Sequence, residues 1–197
     1  MSGVIIIAAI AAYLIGAIPF GLLFARWLTG RDPRSHGSGN IGATNAMRTG
    51  GKKVGALTLL ADVLKGTIPV AIAMMLDSEP MLIAAVALAA FIGHIFPVYL
   101  RFKGGKGVAT MFGVVIPWMP WVAVGAFAVW LVVFRSTRYV SLASIIAGIV
   151  LPLFAWLSGA SVEAILLSLA LGCLMTARHH TNIGRLWLGV EPKTGAG

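Results

Sequence analysis

Long apolar runs, interrupted by glycine, proline and short charged segments, set the pattern of this chain. They fall at roughly 4–25, 54–76, 81–100, 108–117, 121–134, 139–157 and 161–177. An α-helix rises about 1.5 Å per residue and the hydrocarbon core of a bilayer is about 30 Å thick, so a span needs about 17–25 apolar residues. Five of the runs reach that length. The other two, on either side of Pro117-Trp118-Met119-Pro120, would be about 15 and 21 Å long and predict two short helices or a re-entrant hairpin. The pattern predicts an all-α polytopic integral membrane protein, with residues 1–197 forming one membrane domain and no linker.

Composition agrees: 59% of the 197 residues are hydrophobic and 11% are charged, against about 25% charged in soluble domains. A lone cysteine, Cys173, lies in an apolar run, so it can build neither a disulfide framework nor a thiolate metal site and is expected to pack. Met1-Ser2-Gly3 lacks the positive region of a cleavable signal, so the first segment is expected to stay as an anchor.

Charge sets the parity of the spans. Were Val108 to Phe134 one span, Arg135, Arg138, Arg178 and Arg185 would lie opposite Arg101 and Lys103, against the positive-inside rule. If that stretch instead goes out and back, segments 26–53, 101–106, 135–138 and the tail from 178 share one face and hold every lysine and arginine except Lys65. Asp77-Ser78-Glu79 and Ser158 to Glu163, on the other face, are acidic or neutral. The expectation is seven transmembrane helices, two of them short, with the amino terminus outside and the carboxyl terminus in the cytoplasm. The net charge of +9 follows from this topology and from anionic lipid headgroups, which makes nucleic acid a poor candidate partner.

Three polar segments on the basic face carry candidate chemistry. The first contains Gly37, Ser38, Gly39, Asn40, Gly42, Thr44, Asn45 and Arg48; its glycines let successive N–H groups turn toward one anion, and its side chains add neutral donors and a guanidinium fork. Gly37, Gly39 and Gly42 also satisfy a dinucleotide-binding spacing, but no strand precedes them, so that reading fails its context. The second, Lys103-Gly104-Gly105-Lys106-Gly107, stands just before an apolar helix, where glycine N–H groups and a cation make a phosphate cradle. It is not an ATP-binding loop, because Gly107 follows Lys106 where Ser or Thr is required. In the third, His179, Asn182 and Arg185 recur at i, i+3 and i+6, one face of a helix. Any one of these could be only a tight turn or a topological anchor; all three on one side point to a phosphate site. Within the spans, Asp62 and Lys65 are spaced i, i+3 and are expected to neutralise each other, while His94 and Glu163 are not expected to be catalytic.

Gly-Ser-Gly-Asn-x-Gly-Ala-Thr-Asn at 37–45, Lys-Gly-Gly-Lys-Gly-Val-Ala-Thr at 103–110 and His-x-x-Asn-x-x-Arg at 179–185, in that order, resemble the bacterial acyl-phosphate:glycerol-3-phosphate acyltransferase family over nearly the whole chain. The resemblance implies seven helices and transfer of a fatty acyl group from acyl phosphate to the sn-1 hydroxyl of glycerol 3-phosphate, giving lysophosphatidic acid and phosphate without acyl-CoA. It implies catalytic roles for Ser38, Arg48, Lys106, His179 and Asn182. Gly37, Gly39, Asn40, Thr44, Asn45, Lys103, Gly104, Gly105, Gly107 and Arg185 are the expected phosphate-binding set. Glycerol 3-phosphate, acyl phosphate and membrane lipid are the expected partners, with an upstream acyl-phosphate-producing enzyme as a further candidate. The expected location is the bacterial inner membrane with the site facing the cytoplasm.

No cofactor or metal is expected, since the four histidines and scattered carboxylates show no ligand spacing. The residues five after His36, His94, His179 and His180 are Ile41, Tyr99, Gly184 and Arg185, so a His-x-x-x-x-Asp dyad is absent. His179 and Asn182 are therefore expected to position substrates while a phosphate oxygen of the donor accepts the hydroxyl proton. Nothing after Arg185 is assigned a role. A membrane transporter of a phosphorylated small solute is the alternative reading.

Overall fold

The computed structural model describes residues 2–77 and 79–194. Met1 and Ser78, which bear on the expected anchor and outer loop, lie outside the described residues. The described residues form helices and no strands, in two compact units, Met1–Trp118 and Met119–Gly197.

In the first unit the leading apolar run is divided into α1 (Ser2–Gly16) and α2 (Phe20–Thr29). Pro19 supplies no N–H and has φ −88° and ψ 68°, so the helix cannot run through it. A short 3-10 turn, Pro33–Ser35, leads to α3 (Ala43–Leu76). Gly51, at φ 87° and ψ 177°, is not helical and divides α3 at a kink, so the apolar part begins just after it, close to the expected start near residue 54, and a separate polar helical stretch from Ala43 precedes the kink. Next, α4 (Pro80–Ile95) ends because Phe96 precedes Pro97, which disfavours helical backbone there. His94 consequently stands in the last turn of its helix, nearer the end than the apolar run implied. A second 3-10 turn, Val98–Leu100, and the glycine loop connect to α5 (Val108–Trp118).

Small residues let these helices approach closely. A Cβ on Gly16 would collide with the Ala90 carbonyl and one on Gly93 with the Tyr13 carbonyl, so α1 and α4 touch backbone to backbone. Gly113 meets the Val63 carbonyl in the same way, seating α5 on α3.

The second unit comprises α6 (Pro120–Thr137), α7 (Val140–Leu157), α8 (Val162–Arg178) and α9 (His180–Trp187). Its first helix outruns the expected 121–134: the polar residues Arg135 to Thr137 stay helical until Arg138, at φ 63°, closes the end. At 18 residues, α6 is about 27 Å long and long enough to span. Gly148 and Gly172 bring α7 against α8, and α8 turns into α9 through 61°.

Large apolar side chains face outward in both units: Ile7 is 71% exposed and Trp121 81%. That distribution fits hydrocarbon as the surrounding solvent. Five stretches among the described residues are long and apolar enough to cross a membrane, six if the bent α8–α9 pair is one span. Cys173 is exposed rather than packed, because it falls on the outward face of α8.

Candidate functional site

The first loop is organised from within. Asn45, 3% exposed, donates from Nδ2 to the carbonyls of Pro33 (2.7 Å), His36 (3.1 Å) and Asn40 (2.8 Å), and its Oδ1 accepts from the Ser38 N–H at 2.9 Å. Asn40 Oδ1 accepts from the Gly42 N–H, and the Gly39 N–H donates to His36 O. These groups build the loop rather than face an anion. Gly37 and Gly39 take positive φ, and a Cβ on Gly37 would collide with Asn45 Oδ1. The loop presents the exposed side chains of Ser38 and Arg48, the half-buried Thr44, and the start of α3, where no side chain caps the first N–H groups. A helix start with open N–H groups attracts an anion, and Arg48 lies one turn further on.

Asn45 is difficult to replace. Asn45→Asp turns a two-hydrogen donor into an acceptor facing three carbonyls, so the variant should lose about 2–4 kcal/mol of stability. A thermal unfolding midpoint in detergent checks this.

Asp32 steadies the approach to the loop. It accepts from Arg34 Nη2 at 2.7 Å and from Arg26 Nη2 at 2.8 Å. Hydrogen bonding from Arg34, working against desolvation, holds the Asp32 carboxyl well below the usual range, and the same pair raises Arg34. An open pocket of about 400 Å³ is lined by Arg34 of this loop and by Tyr99, Leu100, Arg101 and Lys103 of the second. The two basic segments of the first unit therefore meet.

The second loop rests on the end of α4. Its Gly105 N–H donates to His94 O at 3.1 Å, and Cβ atoms on Gly104 and Gly105 would collide with His94 O and His94 Nε2 respectively. Gly107, at φ 91°, lies against the Phe91 ring. These glycines allow close packing, and the Gly105 N–H, expected to face phosphate, is engaged by His94 O. Lys103 is exposed and Lys106 half-buried, the latter just ahead of the start of α5. Beneath them Asp62 Oδ1 and Lys65 Nζ pair at 2.8 Å, as their i, i+3 spacing suggests, with both side chains almost wholly buried.

In the second unit His179 joins α8 to α9 and is 2% exposed. Its Nδ1 lies 2.8 Å from Met175 O; a carbonyl only accepts, so Nδ1 carries the proton, and this sets the tautomer. Asn182 is buried and donates to Glu191 Oε1 at 2.6 Å, while Arg185 Nε donates to Oε2 at 2.6 Å. Ser141 Oγ completes the set at 2.7 Å. Burial pushes the Glu191 carboxyl up, but hydrogen bonds from Ser141, Asn182 and Arg185 outweigh it and hold the group below its ordinary value.

Glu191 is the residue that sequence reasoning missed, and the segment after Arg185, assigned no role, supplies it. A signal existed: Asp32 and Glu191 are the only acidic residues within the basic segments. A lone carboxylate among cations is a candidate organiser.

The family model described as glycerol-3-phosphate acyltransferase matches residues 6–189. The chain belongs to the glycerol-3-phosphate acyltransferase family. A glycerol-3-phosphate acyltransferase of Dinoroseobacter shibae is 48% identical over 195 residues, covering 98% of this chain and 95% of the relative; one of Syntrophotalea carbinolica is 47% identical over 186 residues, covering 94% and 95%. The crystal structure of PlsY (YgiH), an integral membrane glycerol 3-phosphate acyltransferase in its glycerol 3-phosphate form, superposes with a TM-score of 0.92 at 45% identity, covering 97% of this chain and 96% of that one. Its lysophosphatidic acid form superposes with a TM-score of 0.90 at 43% identity, covering 97% and 95%. This acyltransferase is thus a multi-pass integral membrane enzyme of phospholipid biosynthesis, and the transporter alternative is set aside.

Proposed function

We propose that this acyltransferase moves a fatty acyl group from acyl phosphate to the sn-1 hydroxyl of glycerol 3-phosphate, the first step of bacterial phospholipid synthesis, with residues 1–197 acting as one catalytic domain. The observation that carries the reading is the second loop: a half-buried Lys106 between glycines at the mouth of α5, in a chain 45% identical to a protein crystallised in a glycerol 3-phosphate form. A cation and helix-start N–H groups suit a substrate that carries phosphate.

In the reaction the glycerol oxygen bonds to the acyl carbonyl carbon, the carbon–oxygen bond to phosphate breaks, and the electron pair leaves with phosphate. A phosphate oxygen takes the hydroxyl proton, so no side-chain base is required. Lys106 and Arg48 offset charge on the phosphate groups and Ser38 donates a hydrogen bond. Lys103, Arg185 and the loop residues Gly37, Gly39, Asn40, Thr44, Asn45, Gly104, Gly105 and Gly107 bind or shape the phosphate sites. His179 and Asn182 orient substrate rather than exchange a proton with it.

The positive-inside pattern supports seven spans with the amino terminus outside and this chemistry facing the cytoplasm of the inner membrane. There a water-soluble glycerol 3-phosphate, a bilayer-held acyl phosphate and the enzyme that makes that donor can all be reached. The test uses sealed proteoliposomes given glycerol 3-phosphate and palmitoyl phosphate. Lysophosphatidic acid acylated at sn-1, without accumulation of free glycerol 3-phosphate in the lumen, is the expected result; acylation at sn-2 or no product overturns it.

A further inference from the structure

Three ionisable side chains stand where the bilayer favours none. Asp62 and Lys65 on α3 and His94 at the end of α4 are 2–3% exposed. Charge at that depth is costly and persists where it is paired or serves a site. Lys65 is fully engaged: Nζ reaches Asp62 Oδ1 at 2.8 Å, donates to Ile18 O at 2.9 Å in the break between α1 and α2, and lies 5.8 Å from the centre of the Phe20 ring.

Neutralising a pair needs only two members. The third, His94, has Nδ1 3.7 Å from the same Asp62 oxygen, while its Nε2 edge lies against Gly105, where a Cβ would collide with it. The main chain repeats the contact, since the Gly105 N–H donates to His94 O at 3.1 Å. Beyond the loop, in the first turn of α5, Thr110 Oγ1 donates to the main-chain carbonyl of Asp62 at 3.0 Å. The Asp62 carboxylate thus reaches the loop through the His94 imidazole, which lies against Gly105 ahead of Lys106, while the Asp62 main chain holds the start of α5 beyond it. Lys65 also cancels the Asp62 charge, which would otherwise repel an anion bound above it.

We propose that Asp62, Lys65 and His94 are positioning residues of the acyltransferase, a buried charged strut that sets the height of Gly105 and so the reach of Lys106 toward substrate phosphate. None of the three touches substrate; each acts through the loop. The inference rests on the phosphate role proposed for that loop.

A size swap tests it on the purified full chain, with KM for glycerol 3-phosphate, kcat and the unfolding midpoint read together. Gly105→Ala places a methyl against the imidazole and should raise KM by about tenfold or more, since misplacement of roughly an ångström carries such losses. His94→Ala lets the loop sink and should raise KM by about tenfold with kcat changed by less than about threefold. When the two substitutions are combined, the methyl introduced by Gly105→Ala enters the space vacated by the imidazole, and KM should return to within about threefold of the parent. A Gly105→Ala chain that fails to fold and is recovered folded and active by adding His94→Ala supports the same contact.

A double variant no better than Gly105→Ala overturns the proposal. So does His94→Ala that lowers only kcat and the unfolding midpoint. Lys106→Ala, run alongside, separates the two readings: weakened glycerol 3-phosphate use there with unchanged KM in His94→Ala contradicts the strut alone, whereas unchanged KM and kcat in Lys106→Ala contradict the phosphate role of the loop.

Discussion

Replacing Lys106 with alanine is expected to cut acylation of glycerol 3-phosphate by about a hundredfold to a thousandfold. The ammonium is half-buried, just ahead of the start of α5, in a loop whose backbone is fixed by Gly105 against His94 and Gly107 against Phe91. A cation held in that setting needs little reorganisation when charge builds on phosphate, and partial burial weakens solvent screening. The fold should survive, because the chain on both sides is anchored by contacts that do not involve the Lys106 side chain. Lys106→Arg should recover little, since a planar fork does not replace a compact ammonium between glycines. Initial rates at saturating palmitoyl phosphate, with unfolding midpoints measured in parallel, decide the matter; a rate within about threefold of the parent contradicts it.

Glu191→Ala should produce the largest loss of stability, about 3–5 kcal/mol. One buried carboxylate accepts from Ser141, Asn182 and Arg185. Removing it leaves a buried hydroxyl and amide without their acceptor and a guanidinium without its counter-charge. Glu191→Gln keeps the volume and should lose less. A pH signature follows from the depressed folded-state value. The unfolded glutamate titrates near about 4.3, so the stabilisation is fully present above that range and is lost as pH falls through the lower folded value. Acidification from about pH 6 to about pH 3 should therefore lower the unfolding midpoint of the parent more than that of Glu191→Gln. Equal acid sensitivity would remove Glu191 from the account.

The membrane fold was legible because hydrocarbon demands long apolar runs, and each run from 4–25 to 161–177 contains a helix or a helix pair. Boundaries went astray where polarity and helicity part company. The polar stretch from Ala43 up to the kink at Gly51 is helical, and Arg135 to Thr137 extend α6 past its last apolar residue. Of the candidate site, the glycine and lysine loops stood out by composition, but what each group bonds to did not. Asn45 reads as one more donor in a polar loop until its amide is seen facing three carbonyls. Contacts such as Ser141 to Glu191, 50 residues apart, and Thr110 to Asp62, 48 apart, depend on helix packing that no local pattern encodes.

The most direct measurement gives purified enzyme glycerol 3-phosphate with either palmitoyl phosphate or palmitoyl-CoA, beside the Lys106→Ala variant, and follows lysophosphatidic acid. Product from palmitoyl phosphate alone, lost in the variant, is the predicted result. Product from palmitoyl-CoA would contradict the proposed donor, and full activity without Lys106 would contradict the proposed phosphate cradle.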